Sequence, residues 1–177
     1  MGHPERDSPR TEENDVDIVE LMRNDEDAIV AEALTAVNWL EHYGRDGEEV
    51  TRERLRALCR LVAGAIRAQD LGRLVEHAER IARERHAAGY DRTEVARAFS
   101  AVEEAIWHRT LVAMPAADRA WALGLVGTAL GHAREALVRA FRQAGSGDVP
   151  AFVDLSPIFL GAGDRRGRYD DDMVAPV

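Results

Sequence analysis

Apolar residues recur at helical spacing through most of the chain, and short polar or glycine-containing joints divide them into five long segments. The first segment, from Asn24 to Gly44, opens with acidic residues that suit the positive end of a helix dipole. Its apolar row consists of Ile29, Ala33, Leu34, Val37 and Leu40. A shorter apolar set within 16–22 predicts a weak leading helix before it.

The ends of the next three segments carry capping signals. Thr51 is predicted to cap the second helix, and Gly89 to end the third in the left-handed conformation. Asp91, followed three residues later by Glu94, predicts a capping box at the start of the fourth helix. That helix is expected to stop near Met114, because a residue that precedes proline resists helical geometry.

The fifth segment follows Pro115, which suits a first helical turn. Its apolar row consists of Leu123, Val126, Leu130, Ala133, Leu137 and Phe141. The segments together predict an all-α fold, a helical bundle of about five helices for which a globin-like arrangement is one option. We expect residues 1–14 to be a disordered tail, 15–145 the helical domain, and 146–177 a flexible, irregular tail with an apolar docking patch.

Charge and cysteine content narrow the class of protein. The chain of 177 residues carries a net charge of -9, which argues against a nucleic-acid partner because such binding needs a basic face. The single cysteine, Cys59, cannot form an internal disulfide, as is typical of the cytoplasm. No stretch of about 18 apolar residues and no leader pattern is present, so we expect a cytoplasmic protein that does not bind a membrane.

Candidate chemistry is sparse. Glu104 and His108 are four residues apart and His132 and Glu135 three apart, but the pairs are not repeated as a metal site in a helical bundle requires. The sequence contains no glycine-rich phosphate loop, no nucleophile elbow and no zinc-type cysteine pair. We therefore predict no metal, no cofactor and no enzymatic activity. The second and third segments carry a basic row, which we interpret as a solvated face rather than as a surface that binds a membrane or an acidic partner. Its members are Arg54, Arg56, Arg60, Arg67 and Arg73.

Two stretches of the chain resemble a known family. The segments "WLEHYG" and "LRALCRLVAGAIRAQDLGRLVEHAERIARERHAAGYDRTEVARAFSAVEEAIW" are similar to the helical N-terminal sensor domain of the RsbRD type, found in co-antagonists of the stressosome kinase RsbT. The shared elements are a Trp-Leu pair, an Arg-Gly-Val run and a helix ending in Ile-Trp, with the latter two at Arg85, Gly89, Val95, Ile106 and Trp107. The resemblance covers roughly residues 30–141, which is most of the predicted bundle.

This resemblance implies a cytoplasmic, dimeric signalling input domain without catalytic residues of its own. We expect a bacterial regulatory protein that contacts a protein partner: a second copy, a regulator or a kinase. The candidate interaction residues are Trp39, Tyr43, Tyr90, Trp107 and Trp121, with Phe152, Leu155, Ile158 and Phe159 in the tail. One alternative is a small-molecule or haem-binding sensor with a globin-like fold, and another is an enzyme using Glu103, Glu104, His108 or His132.

Overall fold

The computed structural model describes residues Asp17–Ser146, and this part of the chain is all-α, as predicted. Its seven helices are α1 (Ile18–Asn24), α2 (Glu26–Val37), α3 (Glu41–Asp46), α4 (Glu48–Ala68), α5 (Gly72–Ala87), α6 (Arg92–Ala113) and α7 (Ala116–Gly145). None of these helices is long and apolar enough to cross a membrane. The predicted tails at 1–14 and 146–177 lie outside the described residues apart from Ser146.

The predicted first long helix is divided into α2 and α3. Asn24 ends α1 instead of capping the next helix, and Asp25 occupies the N-cap position of α2. On an unbroken helix Tyr43 would lie about 60° around from Leu40, at the edge of the apolar row. The extended backbone of Leu40, with ψ 138°, redirects the chain so that both Leu40 and Tyr43 are buried.

The weak leading helix is part of the core. Its four apolar side chains are at most 3% exposed, and they are Ile18, Val19, Leu21 and Met22. Asp17 caps the helix, since its carboxylate accepts a hydrogen bond from the backbone N–H of Val19 at 3.2 Å. Helix α1 packs against α4 and α6, which explains why so short a helix is stable.

The start of α4 differs from the prediction. Gly47 has a φ of 90° and occupies the N-cap position, so the helix begins at Glu48. Thr51 therefore lies inside the first turn, and its assignment as the cap was wrong. Its buried hydroxyl donates a hydrogen bond to the carbonyl of Tyr43 at 3.2 Å, which links α4 to α3.

The turn between α5 and α6 is largely as predicted. Gly89 has a φ of 81° just beyond the end of α5. The Asp91 carboxylate accepts a hydrogen bond from the backbone N–H of Thr93 at 2.7 Å, so it caps α6. Glu94 does not complete a capping box, because its carboxylate is engaged by His42 of α3.

Helix α6 lies at the centre of the described helices. It packs against α2 on one side and α7 on another, while α5 lies along α7 and α4 contacts α1 and α2. The apolar row predicted for it is buried throughout: Val95, Ala98, Phe99, Val102, Ala105 and Ile106. It ends at Ala113, and α7 then runs for 30 residues after Pro115, as the proline predicts.

Candidate interaction surface

The five aromatic candidates within the described residues separate into two groups. Trp39, Trp107 and Trp121 are 74%, 38% and 61% exposed, whereas Tyr43 and Tyr90 are buried. The two tyrosines therefore offer no free surface for a partner. The other four candidates, which are Phe152, Leu155, Ile158 and Phe159, lie outside the described residues.

Two of the exposed tryptophans lie on the antiparallel pair formed by α6 and α7. Trp107 and Leu111 are one turn apart on α6, and both are exposed. A Cβ built on Gly127 of α7 would lie 3.8 Å from Cζ2 of Trp107, so the indole rests against the backbone of α7. We call this region the α6–α7 surface, and define it as Trp107, Leu111, Trp121, Gly124, Thr128 and Gly131.

The outer face of α7 carries small residues over this region. Gly127, Gly124 and Trp121 are spaced by three residues, so each step moves about 60° around the helix. Gly124 thus lies between the α6 edge and Trp121, and a Cβ added there would meet nothing within 4 Å. Because small residues let helix axes approach closely, this face is suited to a crossing helix flanked by indole rings.

A buried ion pair holds α6 to α7 at this level. Glu103 is 5% exposed, and its carboxylate accepts a hydrogen bond from the guanidinium of Arg134. Arg134 also donates to the hydroxyl of Ser100 at 3.2 Å. A paired carboxylate of this kind is costly to separate from its partner, so it fixes the register of the two helices. Glu103, an enzyme candidate from the sequence, is placed here as a structural contact.

The two histidine–glutamate pairs considered for metal binding do not converge on one site. Glu104 accepts from Arg97 at 2.6 Å, and His108 Nδ1 lies 3.0 Å from Glu32 Oε2 on α2. His132 Nδ1 lies 2.9 Å from a carbonyl of its own helix. Between Asp17 and Ser146, no group of three or more histidine, cysteine, aspartate or glutamate residues is arranged to hold a metal ion.

The buried tyrosines belong to a second feature, a polar corner where α3, α4 and α5 meet. The Tyr90 hydroxyl donates to the carboxylate of Asp46, and Arg54 donates to both groups, with 3.2 Å to the Tyr90 oxygen. The Arg85 guanidinium lies 5.0 Å above the Tyr90 ring. We define the polar corner as Asp46, Arg54, Arg85 and Tyr90.

Aromatic contacts extend the polar corner towards α6. The Tyr90 ring lies 4.5 Å from the His42 ring and meets Tyr43 edge-on at 5.6 Å between centroids. His42 Nδ1 lies 2.6 Å from Glu94 Oε2, so the corner also holds the start of α6. The corner therefore links four helices through one tyrosine ring.

Burial and hydrogen bonding change the acidity of these groups. Desolvation would by itself raise the pKa of Asp46, but the hydrogen bonds from Tyr90 and Arg54 outweigh it and lower that pKa. Desolvation raises the pKa of Tyr43, and it also raises the pKa of Tyr90 together with the bond to Asp46. The corner therefore holds an ionised carboxylate between neutral phenols and guanidinium groups.

The Arg-Gly-Val run of the family resemblance has structural roles at the corner and in the turn that follows it. Arg85 packs on Tyr90, Gly89 supplies the left-handed turn, and Val95 is fully buried at the start of α6. Asp46 and Arg54 were missed as part of the same cluster. Their separation along the chain from Tyr90 leaves no local pattern by which they could be grouped.

We expect the lone thiol to be unreactive in the native protein. Cys59 is 1% exposed on α4, and desolvation, with a smaller contribution from Glu26, raises its pKa to about 12. At pH 8 the native chain should react with dithiobis(nitrobenzoic acid) at least about 100-fold more slowly than the urea-unfolded chain, because the thiolate is scarce. Rapid native labelling would show instead that the contact between α1 and α4 opens readily.

Comparison with known proteins identifies no relative of this arrangement. Protein-family models, curated proteins and solved structures all give no match to the chain.

Proposed function

We propose that the chain is a non-enzymatic regulatory domain of bacterial signalling that acts through protein–protein contacts and forms a homodimer through the α6–α7 surface. The observation that carries this proposal is the exposure of Trp107, Leu111 and Trp121 beside the small-residue face of α7. Tryptophans that remain exposed around a smooth helix face are typical anchors of protein interfaces.

A second copy of this chain is the proposed occupant of the surface. The exposed fractions of Trp107 and Trp121 together equal about one whole indole side chain, or roughly 250 Å² of largely apolar area. A standard interface buries about 800 Å² per partner, with somewhat more than half of it apolar. In a two-fold dimer the same α7 face would pack against itself, so one set of small residues serves both sides.

The resemblance to RsbRD-type sensor domains supports a regulatory role in the cytoplasm, with a regulator or kinase as a further partner. The shared Arg-Gly-Val run lies at the polar corner, where Arg85 and Gly89 shape the turn into α6. Because α6 also carries Trp107, a change at the corner could reach the proposed dimer surface along one helix. This coupling follows from the path of α6 and needs no catalytic group.

Replacing Trp121 by glutamate should disrupt the dimer. The variant places a charge in the proposed interface without altering a buried residue. We therefore expect the dissociation constant of the dimer to increase about 30-fold or more. Light scattering coupled to size exclusion over a concentration series measures this change.

Trp39→Glu is the matched control, because Trp39 is even more exposed but lies outside the α6–α7 surface. Circular dichroism should show that both variants retain the helical fold. A wild-type chain that is monomeric at high concentration, or a dimer lost only in Trp39→Glu, would contradict the proposed interface.

A small-molecule or haem-binding sensor with a globin-like arrangement of its helices is the second candidate. A cleft between α1 and α4 favours the small-molecule version. An absorbance scan of the purified chain tests for haem, because bound haem gives a strong visible band. Visible absorbance from the purified chain would favour the sensor over the dimer proposal.

A further inference from the structure

An open cleft of about 420 Å³ lies between α1 and α4, on the part of the surface formed by the basic row of α4. Val19 and Met22 of α1 and Ala63 of α4 lie at its base, and each of these side chains is at most 8% exposed. A cleft of this size is within the range of small-molecule sites. The proposed dimer surface does not use this cleft, since it is formed by α6 and α7.

The rim of the cleft is positively charged. Arg23, Arg60 and Arg67 line it together with one acid, Glu26, so three positive charges and one negative charge leave a local charge of +2. The whole chain carries -9. A positive site on an acidic protein attracts anions selectively, because the surrounding surface repels them.

One arginine of the rim is held in place by its acidic neighbour. Arg60 Nε and one terminal nitrogen lie 2.8 and 2.7 Å from the two carboxylate oxygens of Glu26. Arg56 also lies against Glu26, at 3.3 Å, so that carboxylate is shared by two guanidinium groups. A guanidinium has five N–H donors, so Arg60 retains donors for a ligand after this pairing.

Two further arginines are available. Arg23 and Arg67 form no ion pair with any residue between Asp17 and Ser146. Gly64 lies between Arg60 and Arg67 on the outer face of α4, and a Cβ placed there would meet nothing within 4 Å. The absence of a side chain at Gly64 keeps the space between the arginines open.

We propose that this cleft binds a phosphate monoester. A phosphate monoester has a charge of about -1.5 to -2 at pH 7 and three acceptor oxygens, which match the local charge of +2 and the donors of the arginines. A carboxylate would neutralise only half of the local charge.

Isothermal titration of the full chain with hexyl phosphate tests this site. Arg23→Gln and Arg67→Gln should each weaken binding about tenfold, because each removes a charged hydrogen bond from the phosphate. Arg73→Gln is the matched control, since Arg73 is an exposed arginine outside the cleft and its loss should leave the affinity unchanged. Unchanged affinity in both cleft variants would overturn the proposal.

Gly64→Leu provides a second, independent test. Leucine favours a helix more than glycine does, so the variant should fold, while its side chain fills the cleft and abolishes binding. Hexanol should bind at least about tenfold more weakly than hexyl phosphate, because it lacks the phosphate group that the arginines recognise. Equal binding of hexanol or hexanoate, or tight binding by Gly64→Leu, would overturn the assignment.

Discussion

Replacing Ile18 by alanine should lower the free energy of unfolding by about 3 kcal/mol. Ile18 is fully buried in the first turn of α1, where the helix packs against α4 and α6. The change removes apolar contact area and leaves a cavity that this tightly packed region cannot fill. Urea denaturation followed by far-ultraviolet circular dichroism gives the free energy of unfolding by linear extrapolation to zero urea.

Val50→Ala is the matched control for this prediction. Val50 is an exposed aliphatic residue near the start of α4, so its truncation should change the unfolding free energy by no more than about 0.5 kcal/mol. A loss below about 1 kcal/mol for Ile18→Ala would mean that α1 does not dock on the core in solution. The lining of the proposed phosphate cleft would then lose its α1 side as well.

Asp46→Asn should lower the free energy of unfolding by about 2 kcal/mol at pH 7, because it removes a carboxylate that accepts hydrogen bonds from Tyr90 and Arg54. The folded pKa of Asp46 is lowered, so its stabilisation is complete above the unfolded value of about 3.9 and is lost as the pH falls through the folded pKa. The difference in unfolding free energy between wild type and Asp46→Asn should therefore become smaller in acid.

Urea denaturation at pH 7 and at pH 3 measures this gap. Glu49→Gln is the control, since Glu49 is an exposed carboxylate on the first turn of α4 and its neutralisation should shift stability by no more than about 0.5 kcal/mol. A gap between wild type and Asp46→Asn that stays constant from pH 7 to pH 3 would show that the Asp46 charge does not stabilise the corner.

Local patterns predicted the helices whose packing follows from one periodic row. The row of α6 from Val95 to Ile106 is buried as its spacing indicates, and Gly89 and Asp91 shape the turn before it. Trp39 also follows the helical rule, since it lies about 200° around from the buried Val37 and is exposed. These features depend on neighbours within a few residues, which a sequence displays directly.

The polar corner and the change of chain direction at Leu40 depend on residues that are distant in the sequence. Tyr90 contacts Asp46 across 44 residues of chain and Arg54 across 36 residues. Tyr43 packs edge-on against the Tyr90 ring and is buried, whereas a continuous helix would have placed it at the edge of the apolar row. Periodicity carries no information about such pairings, so the buried state of the two tyrosines could be assigned only from the structure.

The pairing of α2 with α6 has a consequence for synthesis on the ribosome. Helix α2 ends at Val37, but the helix that covers it is complete only at Ala113, 76 residues later. At translation rates of about 5 to 20 residues per second, that interval is about 4 to 15 s. During it the apolar side chains of Ile29 and Val30, fully buried in the finished bundle, lack their final cover. The nascent N-terminal half therefore exposes apolar surface until α6 has been made, which is the stage at which aggregation competes with folding.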